Sequence, residues 1–179
     1  MHKKVVFVIF FILTMAALQA QASQMRLRAQ NINCTMLDDV EYCKSEKGNV
    51  LDGKVAVKRK NGTVGSISEF KNGYRNGESF IFDGKGRLIE RLVFSKGIMD
   101  GVDVFYHRNG KIWIVAPYMK GLLSGPVDIF NSNGKRRGQL IYKKGILKRG
   151  YCRYFEKQID YPNKTSEVAF NQLVTCGGR

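Results

Sequence analysis

Between Gly53 and Lys148 the apolar positions fall into short alternating runs that recur every 24 residues. Val57, Ile81, Phe105 and Ile129 form one apolar column, and Phe70, Phe94, Tyr118 and Tyr142 form a second. The second column follows Ser68, Leu92, Ala116 and Leu140 by two residues, the spacing that puts side chains on one face of a strand. Glycines punctuate the runs in three columns: Gly53, Gly77, Gly101 and Gly125; Gly62, Gly86, Gly110 and Gly134; Gly73, Gly97, Gly121 and Gly145. Self-similarity at a fixed period of this length signals a repeat architecture.

Turn chemistry lies between the runs. Asn61-Gly62, Asn109-Gly110 and Asn133-Gly134 predict two-residue hairpin turns in which both residues take positive φ, with Gly84-Lys85-Gly86 in the same role. Asn72-Gly73, Lys96-Gly97, Lys120-Gly121 and Lys144-Gly145 mark a second turn in each unit. Each repeat, 53–76, 77–100, 101–124 and 125–148, therefore reads as a β-hairpin that must stack on its neighbours, since a lone hairpin is marginal in water. Repeat 3 is the richest in apolar residues and repeat 1 the poorest, which predicts the densest packing at the centre. Pro117 removes a ladder donor, so a bulge or an exposed edge is expected there.

The strings VFYHRNGKIWIVAPYMKGLLSG (104–125) and IFNSNGKRRGQLIYKKGILKRG (129–150) resemble MORN repeats, in the variant of bacterial YwqK-like proteins. The resemblance implies an all-β fold: an elongated, curved antiparallel β-meander of 24-residue hairpins, with scaffolding or recognition as its work. It also implies an antitoxin or immunity-like role through the family's naming. It carries no catalytic centre, and the absence of a regular Y-x-G-x-W departs from the eukaryotic pattern associated with lipid binding.

Outside the array the text changes. Residues 1–22 read as a secretory signal peptide: His2, Lys3 and Lys4, then an apolar run from Val5 to Leu18 too short to span a bilayer, then Ala20-Gln21-Ala22. Residues 23–52 form a leader and N-terminal cap, 53–155 the array with a fifth half-unit at Gly150, Tyr154 and Phe155, and 156–179 a C-terminal cap. An exported chain is periplasmic or secreted, where Cys34, Cys43, Cys152 and Cys176 are expected to form two disulfides. Of three possible connectivities, Cys34–Cys43 and Cys152–Cys176 are favoured, because each then crosslinks one cap outside the array. A metal site is disfavoured: no C-x-x-C occurs, and the mature chain holds one histidine, His107. The run from Val168 to Cys176 reads as either a strand or a short helix.

Charge changes the picture most. The chain carries 30 basic and 15 acidic residues, a net +15. No acidic residue falls between Asp128 and Glu156, while Lys135, Arg136, Arg137, Lys143, Lys144, Lys148, Arg149 and Arg153 do. Such a group favours an anionic partner. Export points to anionic lipid, an acidic polysaccharide or an acidic protein face rather than nucleic acid. Solubility of an exported sheet is the plainer reading of the same charges. The aromatic residues Tyr106, Trp113 and Tyr118 are expected to form a face that covers a protein partner while the basic end steers approach. Catalysis and a cofactor are not expected. His107 reads as exposed and incidental, Asp103 and Asp128 as sharing geometry at near-corresponding repeat positions, and Asp38, Asp39 and Glu41 as a solvated turn.

Overall fold

A computed structural model describes residues 28–30, 32–152 and 157–159 of the 179-residue chain. The segment 1–22 read as a signal peptide, most of the expected leader, Arg153, Tyr154, Phe155, Cys176 and the rest of 160–179 lie outside the described residues. Within them the chain is all-β: one sheet, an antiparallel meander with a single parallel pairing at its start. β1 (Arg28–Gln30) precedes a hairpin of β2 (Ile32–Leu37) and β3 (Val40–Ser45). The meander then runs β4 (Gly53–Lys58), β5 (Val64–Lys71), β6 (Tyr74–Phe82), β7 (Leu88–Ser95), β8 (Ile98–Met99), β9 (Gly101–Tyr106) and β10 (Ile112–Met119). It ends with β11 (Leu122–Leu123), β12 (Gly125–Phe130), β13 (Arg136–Lys143), β14 (Ile146–Cys152) and β15 (Lys157–Ile159).

The 24-residue period is the hairpin, but its two turns are the reverse of those expected. At 59–63 the amide of Gly62 donates to Arg59 O at 2.9 Å and that of Arg59 to Thr63 O at 2.8 Å. Gly62 has φ +83°, while Asn61 is not among the residues with positive φ. This is a three-residue loop, a type I turn closed by a left-handed glycine, and it recurs at 83–87, 107–111 and 131–135. The side chain explains the choice: the Asn61, Asn109 and Asn131 Oδ1 atoms accept amide hydrogen bonds two residues on, which holds an ordinary turn. The two-residue turns with both φ positive sit instead at the other column, as in Lys96 (φ 50°) and Gly97 (φ 79°).

Those two-residue turns stack into a row. The amides of Gly73, Gly97, Gly121 and Gly145 donate to the carbonyls of Leu51, Arg75, Met99 and Leu123, one repeat back, at 2.7–2.8 Å. The leading glycines then bend each strand so its tip folds toward the apolar face. Gly101, at φ +148°, is one such bend, and a Cβ there would lie 2.7 Å from Val93 Cβ. Pro117 meets the same device in the next repeat: its carbonyl accepts from Ser124 at 2.9 Å, and its missing donor falls where the β10–β12 ladder is interrupted. Against β9, Pro117 keeps regular register opposite Val102, the irregularity of that ladder lying between Ile112 and Ile114, and β10 is interior to the sheet rather than at an edge.

Two apolar clusters result. The larger joins Ile114, Ala116, Leu123, Val127, Ile129, Leu140, Tyr142 and Leu147 in repeats 3 and 4. The smaller joins Cys43, Leu51, Val55 and Phe70 under the N-terminal hairpin. That hairpin carries the Cys34–Cys43 disulfide, which closes a short loop and contributes roughly 2–3 kcal/mol in the chain-entropy account. It lies against the turn row of repeats 1 and 2, with Tyr42 bridged to Tyr74, while β1 closes the sheet's first edge by pairing with β4. At the far end β14 pairs with β15 in a hairpin shorter than a repeat: Gly150 lies opposite Ile159, whereas Gly125 lies opposite Tyr142. Tyr154 and Phe155 of the expected fifth half-unit lie outside the described residues.

Gly101→Ala is expected to cost about 2–4 kcal/mol, because the methyl meets Val93 in a strained backbone. Gly110→Ala, with the same sign of φ but open space around it, should cost about 1 kcal/mol. Urea midpoints of the two variants measure the difference.

Candidate functional site

The three-residue loops line one side of the sheet, and a side chain at the first loop position ties each to the next in two of three cases. Arg59 donates its guanidinium to the carbonyls of Phe82 and Asp83, joining the loops of repeats 1 and 2. His107, in the corresponding position of repeat 3, has Nε2 2.9 Å from Phe130 O, joining repeats 3 and 4. Asn109 Nδ2 reinforces that join by donating to Ser132 O at 2.7 Å. Repeat 2 has Asp83 in this position. A carboxylate cannot donate to a carbonyl, and Asp83 instead accepts from the amides of Lys85 and Arg87 and from the Arg87 guanidinium. The Arg87 amide above all, with its side chain, lowers the Asp83 carboxyl to about 2.

Where the tie is missing a groove of about 830 Å³ opens between the loops of repeats 2 and 3. Its floor is aromatic. A register shift between Ile112 and Ile114 bulges β10 at Trp113. The indole packs edge-on to Phe105, with centroids 6.4 Å apart, and lies 5.8 Å from the His107 ring. Tyr106, Arg108 and Glu90 also line it. An apolar floor under a polar rim is the ordinary make-up of a ligand site.

Beside Glu90 of the groove lining sits a buried carboxyl. Asp103 is 2% exposed, and its Oδ1 has no hydrogen-bond partner. Repeats 1 and 4 hold Val55 and Val127 in this column, and repeat 2 holds Ser79. Burial, then the charge of Glu90, push Asp103 up to about 8, against a hydrogen bond from the Val104 amide. Burial also raises Glu90. Tyr118 is raised by burial and by both carboxylates, and Tyr142 reaches about 12 through burial and Tyr118. Burial thus disfavours the charged form of both carboxyls, and of Asp103 the more.

The aromatic residues singled out from sequence do not form one open face. Trp113 and Tyr118 both pack against the large core cluster, at opposite ends of β10. Tyr106 alternates with Phe105 on β9 and shares only the groove with Trp113. His107 is half-buried and bonded, not exposed. Asp103 and Asp128 do not share geometry: they lie on opposite faces, and Asp128 accepts from Arg136 at 3.2 Å and Gln139 at 2.8 Å. Nor is the acidic group at 38–41 merely solvated, since Glu41 pairs with Arg75.

The basic residues are split. Lys135, Arg136 and Arg137 lie at the loop end of β13, and Arg136 is paired with Asp128, whose place just outside the acid-free stretch hid the contact. Lys143, Lys144, Lys148 and Arg149 lie at the opposite end, with no ion pair among the described residues. Arg153 and the Cys152–Cys176 pairing lie outside the described residues. Cys34, Cys43 and Glu41 come within 4.8 Å of one another, but the disulfide occupies both sulfurs, so they make no cation site. Two signals in the sequence point to the groove: an acid at 83 in place of Arg59 or His107, and another at 103 in a column of valine and serine.

No family model and no curated protein matches the chain. Among solved structures, a crystal structure of TarM is similar over 82% of this chain and 23% of its own, at 10% identity and a TM-score of 0.29. The chain thus spans under a quarter of that protein, and a likeness at this level carries no argument.

Asp103→Val, which restores the residue of repeats 1 and 4, is expected to raise stability at pH 8 by on the order of 1–3 kcal/mol. The native protein holds its Asp103 proton to about pH 8, whereas the unfolded chain releases it near 3.8. Stability from this group is therefore full at acid pH and falls as pH rises across that window. The gain in the variant should accordingly be small near pH 4 and largest above pH 8, as measured by thermal melts at several pH values.

Proposed function

We propose that this is an exported binding protein of the MORN type, acting by recognition rather than catalysis. The observation that supports the reading best is the groove, opened by Asp83 in an otherwise tied row of loops and floored by the chain's one tryptophan. The repeats act as a rigid frame, and the departures from the repeat supply the site. The partner is a macromolecule of the exported space, a protein first of all, with an antitoxin or immunity-like occlusion as its form. Neither cofactor nor nucleic acid enters this reading. A second reading, association with anionic lipid or an acidic polysaccharide, draws on the unpaired group Lys143, Lys144, Lys148 and Arg149; it should weaken steeply with salt.

Trp113 reports on the groove directly. Asp83→Arg puts into repeat 2 the residue that ties repeat 1 to repeat 2, and is expected to draw the Tyr106 carbonyl in and shut the groove. Anionic vesicles, acidic polysaccharide and fractionated exported proteins, titrated against the native chain, should include one that shifts Trp113 emission, and Asp83→Arg should abolish that shift with the fold intact. A partner bound equally by native and Asp83→Arg protein, with emission unmoved, would sink the groove reading.

A further inference from the structure

On the side of the sheet opposite the groove, the residue after each two-residue turn packs on the glycine of the next repeat. Tyr74 reaches Gly97 (Cδ1 at 3.4 Å from where a Cβ would stand), Ile98 reaches Gly121 at 3.2 Å, and Leu122 reaches Gly145 at 3.4 Å. The N-terminal hairpin joins this row as a second layer. The Tyr42 ring lies directly on Gly73, Val40 Cγ1 lies on Gly97, and the Cys43 amide donates to Gly73 O at 2.8 Å. Its chemistry is acidic and apolar together. Leu37, Asp38, Val40, Glu41 and Tyr42 follow one another around the tip, with Glu41 on Arg75 and Asp38 lining a cleft that Lys71 and Lys96 also line.

Among the described residues, cover stops at Gly97: the positions over Gly121 and Gly145 have only their row neighbours within 4 Å. Beyond the hairpin, Ile98, Leu122 and Ile146 stay 40–49% exposed, with Met119 beside them at 52%. Three exposed aliphatics in line on one edge form an apolar strip, and such strips mark interaction sites. Lys120, Lys143, Lys144 and Lys148 flank this part of the row, against the single acid Asp100, which already accepts from the Lys120 amide at 3.4 Å. Adjacent repeats stand two strands apart, about 10 Å, so the strip is about 20 Å long, the reach of six or seven extended residues.

We propose that the turn row of repeats 3 and 4 is a docking rail for an extended, acidic and aliphatic segment of a protein partner, laid across the turns as β3 is laid across those of repeats 1 and 2. The argument for the occupant is continuity and charge: the same row already holds a segment of that composition, and its free length is richer in lysine than its covered length. The groove plays no part, so either site can fail alone.

The probe is a disulfide-closed peptide of residues 32–45, titrated in labelled form against the full chain. Saturable binding is expected, weakened at least tenfold by Leu122→Glu and by Ile146→Glu, positions that the chain's own hairpin does not touch. Replacing Asp38, Asp39 and Glu41 of the peptide by their amides should weaken it comparably. Unchanged circular dichroism and Trp113 emission establish that the variants fold. Three results would overturn the proposal: binding indifferent to both glutamates; equal binding of any acidic peptide with competition by anionic vesicles, which makes the surface a charge sensor for lipid; or self-association that Leu122→Glu abolishes, which gives the rail to a second copy.

Discussion

The backbone of the two-residue turn is the constraint from which the molecule is built. Both of its residues must take left-handed φ, and only glycine does so freely, so each repeat has a glycine there that no side chain can replace cheaply. Having no side chain, that glycine leaves room for the neighbouring repeat to pack on it, and its amide is spent on the carbonyl one repeat back. Turn formation and repeat stacking are thus the same event. A second glycine bends each strand against its partner, and the bend folds Leu123 and Leu147 over the apolar face. A single layer of hairpins gains a core this way without a second sheet.

Against so regular a frame, departures are informative. Arg59 and His107 do the same work with different donors, and Asp83 undoes it. Asp103 stands in a column that elsewhere holds valine or serine, and burying its carboxyl with Oδ1 unpaired costs stability that a valine would restore. Costs of this kind persist where function needs them. Asp83 lines the groove with Glu90 and the only tryptophan, and the charge of Glu90 acts on Asp103, which is why that region rather than the most basic one is the candidate site.

Charge tells a different story in three dimensions than along the chain. The acid-free stretch after Asp128 looks like one cationic block, yet β13 holds its two halves apart at opposite ends of a strand of eight residues. One half loses Arg136 to an ion pair worth little on an exposed surface but enough to orient it. The other half keeps its charges on the edge where the disulfide hairpin has already set an acidic segment.

Much of the fold was legible in the sequence, because glycine columns and strand alternation are local rules that repeat four times without an insertion. Period, hairpin unit and the Cys34–Cys43 bond all follow from residues near each other in the chain. Which glycine column makes which turn was misread, since Asn-Gly suits two turn types and the asparagine side chain settles the matter by bonding to the next amides. The site was hardly legible. Trp113 is turned toward the core by a bulge, Tyr106 and Tyr118 are parted by strand geometry, and the groove exists because a donor is absent from one loop beside two loops that have it. Sequence determined where the chain reverses and which positions are apolar, for these depend on each residue's own backbone and hydration. Tertiary structure alone decided which charges meet, which acid is buried and which turns stay uncovered, because those depend on residues a whole repeat apart coming within a few ångströms.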